Sequence, residues 1–362
     1  MIETQHNIID REETLENSLI DNGLSDSASE LFEFIKSVIG SDLTKSLQFI
    51  SVNGQKKTDS LSDTSSGYVC QTRLNDIRYI NRFIENINEK LLDGQFIIIK
   101  LETKQARAAR LFNKYPKLIS HPLYFFDFIL NRIAPKLTIT KKLYFAVTKG
   151  KNRVISLPEA MARLFSCGFK VLDDLKIDGH TFIIATKVGS PVYDESPTYG
   201  LLVKLRRVGL DGKLITVRKI RTMHPYSEYL QEYLFEKHGT KDGDKIEEDI
   251  RVTRWGKFIR KFWIDEIPML LNWLKRDLKI VGVRPLSRHK FNTYPKYLQE
   301  KRIRYKPGLI PPYYADLPQK PEEFFESENR YLDAYDKDPL KTDIRYFFKA
   351  IYNIIIRGER SR

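Results

Sequence analysis

Cysteine is scarce in this chain. Its two cysteines, Cys70 and Cys167, form no C-x-x-C pair, which excludes a zinc knuckle and a disulfide framework and is typical of a reducing cytosol. Long apolar runs are missing as well, because nowhere do the roughly 18 apolar residues of an ordinary spanning helix follow one another. Residues 1–22 are polar and acidic, so we expect no signal peptide. Any membrane contact is therefore expected to be peripheral or shallow.

Positive charge, by contrast, is in excess. Lys and Arg number 61 against 47 Asp and Glu, which gives a formal net charge of +14. Such an excess favours anionic partners, namely nucleic acid, an acidic membrane surface or phosphorylated substrates. Composition does not choose among these three. The length of 362 residues indicates two or three domains, at about 150 residues per domain.

Changes in composition and periodicity divide the chain into three parts. Residues 1–67 form a polar N-terminal segment and a linker, although residues 31–52 have helical spacing of apolar side chains. Residues 68–190 are predicted to form an α/β module, which an apolar insert interrupts at 118–135. Residues 191–362 are predicted to form a separate C-terminal domain.

The order of predicted elements in the module is helix, strand, helix and two strands. The elements are a helix at 77–91, a strand at 96–99, a helix opened by a capping box at Ser156 and Glu159, and strands at 170–172 and 180–187. This order resembles the second half of a Rossmann-like methyltransferase domain. The Gly-rich turn that would hold the cofactor is missing, so we interpret the module as a truncated, structural or docking domain.

The insert at 118–135 is rich in aromatic and aliphatic residues and has lysines on both sides. An apolar stretch with basic flanks is typical of a helix that lies in a membrane interface. A helix packed in a protein core has the same spacing of apolar residues. Both interpretations stay open at this point.

Cations mark both ends of a hairpin predicted in the C-terminal domain. Its two strands surround a turn at 209–212, and Lys219 and Arg221 end the second strand. Donors that alternate along a strand suit a diphosphate. Lysines that protect a solvated edge strand produce the same pattern, so the hairpin alone does not decide.

Two adjacent acids, Asp265 and Glu266, stand where a helix is predicted at about 266–276, because Pro268 fits only the first turn of a helix. Acids at this place usually cap the helix and favour its dipole. Here, however, cations such as Arg254 and Arg284 crowd both sides. Acids among cations indicate a site for phosphates and a divalent metal, since Mg²⁺ prefers carboxylate and phosphate oxygens.

Eight short motifs follow one another between residues 199 and 317. They are Arg206-Arg207-x-Gly209, Lys219-Ile220-Arg221-Thr222-Met223, Asp249-x-Arg251-x-Thr253, Arg260, Asp265-Glu266-x-Pro268, Leu274-Lys275-x-Asp277, Val281-Gly282-x-Arg284-Pro285 and Lys306-Pro307-Gly308. Each is weak alone, but the ordered set resembles the bacterial sugar transferase family, the monotopic phosphoglycosyl transferases. This resemblance implies a mainly α C-terminal domain with a short β-hairpin, associated with a membrane without an ordinary spanning helix.

The resemblance also implies an activity, namely transfer of a sugar 1-phosphate from a nucleotide sugar, with UDP expected, to undecaprenyl phosphate. Such a step initiates exopolysaccharide, capsule or O-antigen assembly at the cytoplasmic face of the bacterial inner membrane. By resemblance, Asp265 is the nucleophile that forms an aspartyl phosphosugar, and Asp265 and Glu266 hold Mg²⁺. The surrounding cations are expected to keep Asp265 ionised. The candidate substrate-binding residues are Lys219, Arg221, Arg254, Arg284 and Lys306.

Two of the chain's departures from the family pattern concern the membrane helix and the segment after Gly308. Residues 170–199 contain no counterpart of the family's re-entrant membrane helix, so the insert at 118–135 or a basic amphipathic stretch at 343–357 is expected to replace it; core packing is the alternative for the latter. After Gly308, the chain has Leu309-Ile310-Pro311-Pro312-Tyr313-Tyr314 where the family usually has Ile-Thr-Gly-Trp-Ala. These changes concern membrane entry and the acceptor site and leave the acidic pair intact.

Three other functions are compatible with parts of the sequence. A non-catalytic scaffold or regulator of polysaccharide assembly is the main alternative. A nucleic-acid-binding protein is disfavoured because no nucleic-acid-binding motif is present, and an active methyltransferase is disfavoured by the missing Gly-rich turn. The identity of the sugar and the formation of a homo-oligomer stay open.

Overall fold

The computed structural model describes residues 28–51, 65–193, 200–238 and 249–357. These residues group into two compact units. Unit 1 lies within residues 1–197 and 225–232, and unit 2 lies within residues 198–224 and 233–362. The predictions for residues 1–27 and for the predicted linker at 53–67, up to residue 64, concern residues outside the described ones.

Unit 1 is built on a five-stranded sheet with the order β1-β2-β3-β5-β4. The first three strands pair in parallel, and β5 runs antiparallel between β3 and β4. The isoleucines at 97–99 in β3 are all buried, as expected for β-branched side chains in a strand covered on both faces. The strands are β1 (Leu47–Ile50), β2 (Gly67–Cys70), β3 (Phe96–Leu101), β4 (Phe169–Ile177) and β5 (His180–Lys187).

Helices cover this sheet and extend beyond it. Leu31 and Ile35 of the first helix pack in one cluster with Val69 and Ile98 of the sheet. The helices of unit 1 are α1 (Ala28–Ile39), α2 (Ser41–Thr44), α3 (Ile80–Lys90), α4 (Lys104–Lys114), α5 (Lys117–Phe128), α6 (Thr138–Thr148) and α7 (Leu157–Ser166).

The structure confirms most of the elements predicted in unit 1 and corrects two of them. The helical spacing through 31–52 was misleading, because Gly40 has φ 89°, a conformation typical of glycine at a helix end, and β1 follows. The predicted capping box is also wrong. Ser156 is the N-cap residue but its side chain does not cap α7. The side chain of Glu159 is instead drawn to Arg132 and Arg163.

Unit 2 is mainly helical and contains the predicted hairpin, β6 (Leu202–Val208) and β7 (Leu214–Ile220). A short parallel pair, β8 (Lys279–Val281) and β9 (Gly308–Ile310), was not predicted. Leu298, Tyr331 and Leu332 belong to its largest apolar cluster. The helices from residue 231 onward are α8 (Gln231–His238), α9 (Arg254–Lys261), α10 (Leu270–Leu274), α11 (Arg288–Asn292), α12 (Lys296–Arg302), α13 (Tyr313–Asp316), α14 (Pro321–Lys337) and α15 (Pro339–Ile355).

The two segments predicted to replace the re-entrant helix are both helical. The insert forms α5, which continues as a π turn at Ile129–Ile133. It is not a core helix, because Leu118 and Phe126 are exposed. Helix α15 packs Ala350 into unit 2 but exposes Phe348. Among the described residues, no helix combines the length and the apolar character that crossing a bilayer requires.

Candidate active site

The acidic pair lies on a tight turn rather than at the start of an α-helix. Asp265 and Glu266 belong to a 3₁₀ turn at Ile264–Met269 that continues directly as α10. The predicted helix at 266–276 therefore begins earlier and is mostly not α-helical, and Asp265 is not its N-cap. Trp263 before the turn has φ 54°, a strained conformation for a bulky residue. Its ring packs edge-on against Tyr314, with ring centroids 5.5 Å apart.

The hairpin and the acidic turn are held together by three polar contacts. Lys219 Nζ in β7 lies 2.5 Å from Glu266 Oε1. The fully buried Asn272 of α10 donates from Nδ2 to the Thr216 carbonyl at 2.7 Å, and its Oδ1 accepts from the Arg218 N–H at 3.3 Å. Because both the amide nitrogen and the amide oxygen of Asn272 form hydrogen bonds to β7, this residue fixes the position of the turn along the strand.

Asp265 is buried between charges of both signs. Burial raises the pKa of its carboxyl group, Lys219 and Arg260 lower that pKa, and Glu266 raises it. The net direction is upward, because desolvation of the anion outweighs the attraction of the cations. The expectation that the surrounding cations keep Asp265 ionised stays a prediction, and burial acts against the effect of those cations on the pKa. A raised pKa makes the ionised carboxylate more basic.

Arg284 is held by groups that the sequence analysis did not assign to the site. Its Nη1 donates to the Tyr313 hydroxyl oxygen at 2.5 Å. Tyr313, with a further contribution from Glu266, raises the pKa of Arg284 against the opposing effect of burial. The Arg284 carbonyl accepts from Arg302 Nη2 at 2.5 Å, and Arg302 forms a buried ion pair with Glu328. The guanidinium group is thus charged and held by Tyr313, while the backbone of Arg284 is held by Arg302.

A second cationic group, Arg260, comes from the last turn of α9. Thr253 caps α9 by accepting from the Gly256 N–H at 2.8 Å, and its hydroxyl donates to the Thr222 carbonyl. Arg260 Nε donates to Thr222 Oγ1 at 2.8 Å. The motif at 219–223 therefore meets the motif at 249–253 and Arg260. Gly256 is required here, because an added Cβ would lie 2.0 Å from the Thr222 carbonyl oxygen.

Three of the candidate substrate-binding residues stand apart from the acids. Arg221 Nε donates to the Gly200 carbonyl at 2.9 Å. Arg254 is exposed and Lys306 is half-buried, and neither forms an ion pair with Asp265 or Glu266 within the described ranges. The structure brings Lys219 and Arg284 to the acidic pair, and it adds Arg260 and Tyr313. The Arg260 motif was a signal for the first, whereas no sequence pattern marked Tyr313.

A magnesium ion fits this site only if the substrate completes it. No group of three or more His, Cys, Asp or Glu side chains suited to a metal lies within the part of the chain that the structure describes. Mg²⁺ is often bound by one or two carboxylates together with substrate phosphates and water, and Asp265 and Glu266 match that requirement. Lys219 occupies one oxygen of Glu266, Oε1, which leaves Oε2 as the oxygen that a metal could reach with this ion pair closed.

The family model that matches this chain covers the residues of this site. Residues 182–357 match the family model described as bacterial sugar transferase. Similar curated proteins are the uncharacterized sugar transferase EpsL of Bacillus subtilis, 36% identical over 127 residues, and the galactosyl transferase CpsE of Streptococcus agalactiae, 38% identical over 105 residues. The UDP-glucose:undecaprenyl-phosphate glucose-1-phosphate transferase of Xanthomonas campestris is 30% identical over 129 residues.

These alignments cover 35%, 28% and 35% of this chain and 52%, 23% and 24% of the three relatives, in the same order. The chain thus spans about a quarter to a half of the length of the curated relatives it matches. The family match contains all eight motifs, from residue 206 to residue 308. Residues 182–357 therefore belong to the bacterial sugar transferase family.

Proposed function

We propose that this protein is an enzyme that transfers a sugar 1-phosphate from a UDP-sugar to undecaprenyl phosphate. The product would initiate exopolysaccharide, capsule or O-antigen assembly at the cytoplasmic face of a bacterial inner membrane. One observation carries the proposal: a buried carboxylate, Asp265, lies between the charges of Lys219 and Arg260. The name of the Xanthomonas relative specifies a UDP-sugar and undecaprenyl phosphate, which supports this choice of donor and acceptor.

In the proposed first step, a carboxylate oxygen of Asp265 attacks the phosphorus atom that carries the sugar. A bond from Asp265 to phosphorus forms, the phosphoanhydride bond breaks, and UMP leaves with the electron pair. In the second step, a phosphate oxygen of undecaprenyl phosphate attacks the same phosphorus, and the Asp265 carboxylate leaves. With two steps, the nucleotide leaves as UMP before the anionic acceptor reacts. The two anionic substrates therefore need not be bound together, which avoids repulsion between them.

The neighbouring side chains have separate roles in this proposal. Glu266, with Asp265, would hold Mg²⁺, which neutralises charge on phosphoryl oxygens. Lys219 would turn from Glu266 to a phosphate oxygen, and Arg284, fixed by Tyr313, would bind the diphosphate, since charged donors form the strongest hydrogen bonds to phosphate. The phosphate-binding roles of Arg221, Arg254 and Lys306 rest on the family resemblance.

An exposed apolar surface beside the acids supports a lipid acceptor. Trp255, Phe258 and Phe262 are exposed along and just after α9, and the rings of Phe258 and Phe262 lie 5.0 Å apart. Lys257 and Lys261 are exposed on the same helix. A helix with exposed aromatic residues and lysines suits the headgroup region of an anionic membrane, so undecaprenyl phosphate would reach Asp265 along this surface.

The proposal is tested with purified full-length protein in nanodiscs that contain undecaprenyl phosphate and Mg²⁺. A panel of UDP-sugars is added, and the release of UMP is measured for the wild type and for Asp265→Asn. We expect release with one or a few sugars from the wild type and a loss of at least about 10³-fold in Asp265→Asn, typical of removing a covalent nucleophile. No release from folded, membrane-bound wild type with any sugar would favour the scaffold.

A further inference from the structure

On the surface of unit 1 that is formed by α5 and α6, apolar side chains face outward and polar side chains face inward, which is the reverse of an ordinary soluble helix pair. On the inner side of α5 and its π turn, Ser120 and Asn131 are 1% and 6% exposed. On the outer side, Leu118 is 89% and Phe126 is 67% exposed. In a soluble protein the apolar stripe faces the core and the polar side faces water, so this helix places its apolar stripe against a different medium.

The polar inner side is fixed by ion pairs, which makes the orientation of α5 specific. Arg107 in α4 is almost fully buried and donates from Nη2 to Asp127 Oδ1 at 2.6 Å. Asn131 Nδ2 donates to the same oxygen at 2.9 Å. Arg132 pairs with the buried Glu159 of α7. Rotation of α5 to bury its apolar side would break these pairs and leave buried charges without partners.

Helix α6 continues the same apolar surface. Ile139 is 92% exposed, and Leu143 and Val147 are exposed at spacings of four residues, which places the three side chains on one side of the helix. Tyr144 points the other way, is buried, and donates to the Lys151 carbonyl at 3.1 Å. We define the outer side of α5, the π turn and α6, within residues 117–148, as the α5–α6 surface.

The charges around this surface identify its partner. Between residues 114 and 151 there are eight Lys or Arg residues and one acid, Asp127, and that acid is paired with Arg107. Lys117, Lys142 and Lys149 are exposed. An apolar protein interface does not need surrounding cations, whereas binding to an anionic bilayer uses both apolar side chains and surrounding cations.

We propose that the α5–α6 surface is a membrane-docking site that inserts into the headgroup region of an anionic phospholipid bilayer. Its 12-residue helix α5 is about 18 Å long at 1.5 Å per residue and therefore suits a shallow position along the interface. Phe125, Phe126 and Leu130 enter the apolar boundary, and the lysines contact lipid phosphates. The surface lies outside residues 182–357, which match the sugar transferase family, and the inference does not depend on the proposed activity.

A local probe tests this inference in the full-length protein. Cys70 and Cys167 are buried, so an environment-sensitive fluorophore can be attached selectively to Phe126→Cys. The matched control is Val188→Cys, which is exposed and follows β5 at the end of the sheet where β3 begins. With vesicles of phosphatidylcholine and phosphatidylglycerol, the label at 126 is expected to shift to the blue and to be quenched by brominated lipid, whereas the label at 188 is not.

A double variant tests the energetic contribution. Phe125→Ser with Phe126→Ser changes exposed side chains and is expected to weaken vesicle binding by roughly tenfold or more, because two apolar anchors are lost. Val188→Ser is expected to bind normally, and so is Asp265→Asn, which separates docking from catalysis. Added salt is expected to weaken binding of the wild type.

Three outcomes would overturn the inference. The protein does not bind the anionic vesicles, or it binds them while the label at 126 stays in water. In the third, the label at 126 becomes buried without lipid as the protein concentration rises, which assigns the α5–α6 surface to a second copy of the chain.

Discussion

Lys219 Nζ in β7 and Glu266 Oε1 in the acidic turn form an ion pair of 2.5 Å. This pair connects two effects on the neighbouring Asp265, because Lys219 lowers the pKa of Asp265 and Glu266 raises it. A ligand that separates Lys219 from Glu266 would therefore change the basicity of Asp265 and, in the proposed function, the binding of Mg²⁺ by Glu266. The proposed activity makes these two consequences separately measurable.

Lys219→Met is expected to move the acid limb of the pH profile of kcat/KM to higher pH. Burial already raises the pKa of Asp265, and loss of the Lys219 charge raises it further. A smaller fraction of Asp265 is then ionised at a given acidic pH, and UMP release measured against pH reports this fraction. Lys213→Met is the control, since Lys213 is 81% exposed. An acid limb that stays in place would contradict the assignment of Asp265.

Glu266→Gln is expected to move the same limb in the opposite direction, because removal of the Glu266 charge lowers the pKa of Asp265. It is also expected to raise the Mg²⁺ concentration needed for half-maximal UMP release by roughly 10–100-fold. Glu326→Gln, at an exposed position, serves as the control. If the Mg²⁺ dependence of Glu266→Gln matched that of the wild type, Glu266 would not hold the metal.

Tyr313→Phe is expected to raise KM for the UDP-sugar more than it lowers kcat. The change removes the hydroxyl that accepts from Arg284 and costs about 1–2 kcal/mol of binding, or roughly five- to thirtyfold. Tyr297→Phe changes an exposed tyrosine and is expected to have no effect. A fall in kcat with KM unchanged would show that Tyr313 does not act through donor binding.

Glu159→Gln is expected to destabilise unit 1 by about 3–5 kcal/mol, because it leaves buried Arg132 and Arg163 without their anionic partner. Hydrogen exchange of peptides from β3 and α7 would become roughly a hundredfold faster or more. Glu30→Gln, at an exposed position, is the control. Unchanged exchange in Glu159→Gln would contradict a structural role for the cluster.

The pH dependence of this contribution follows from the same ion pairs. Burial alone would raise the pKa of Glu159, but Arg132, Lys136 and Arg163 outweigh it and hold the pKa well below 4.5. The folded state therefore binds this proton less readily than the unfolded state. The stabilisation is fully present above the unfolded pKa and is lost only as the pH falls through the lower, folded value.

Much of the order of elements in unit 1, and the hairpin of unit 2, was predictable from periodicity and turn residues. Apolar steps of three and four identified α3, and β-branched runs identified β3 and β5, because these elements bury one continuous face or both faces. The pair β8–β9 escaped prediction since each strand has only three residues. The end of α1 was not predicted, because the helical spacing of apolar residues continues past Gly40 whereas the helical backbone conformation ends there.

At the site, the residue types were predictable, but the balance between burial and neighbouring charges that sets the pKa of Asp265 was not. The motif string identified Asp265, Glu266 and Lys219 before their geometry was known. Tyr313 lies on a four-residue helix with no periodic pattern, so its hydrogen bond to Arg284 depends on tertiary packing. The raised pKa of Asp265 depends on how deeply the carboxylate is buried, which a count of neighbouring cations does not measure.

The most direct test of the central claim is to look for the covalent intermediate. Full-length protein is mixed with Mg²⁺ and the active UDP-sugar, labelled with ³²P at the β-phosphate, in nanodiscs without undecaprenyl phosphate, then denatured and analysed by mass and radioactivity. The account predicts one labelled phosphosugar on the peptide containing Asp265, absent from Asp265→Asn and discharged when undecaprenyl phosphate is added before denaturation. Label retained at another residue, or turnover without any protein-bound label, would contradict the assignment of Asp265 as the nucleophile.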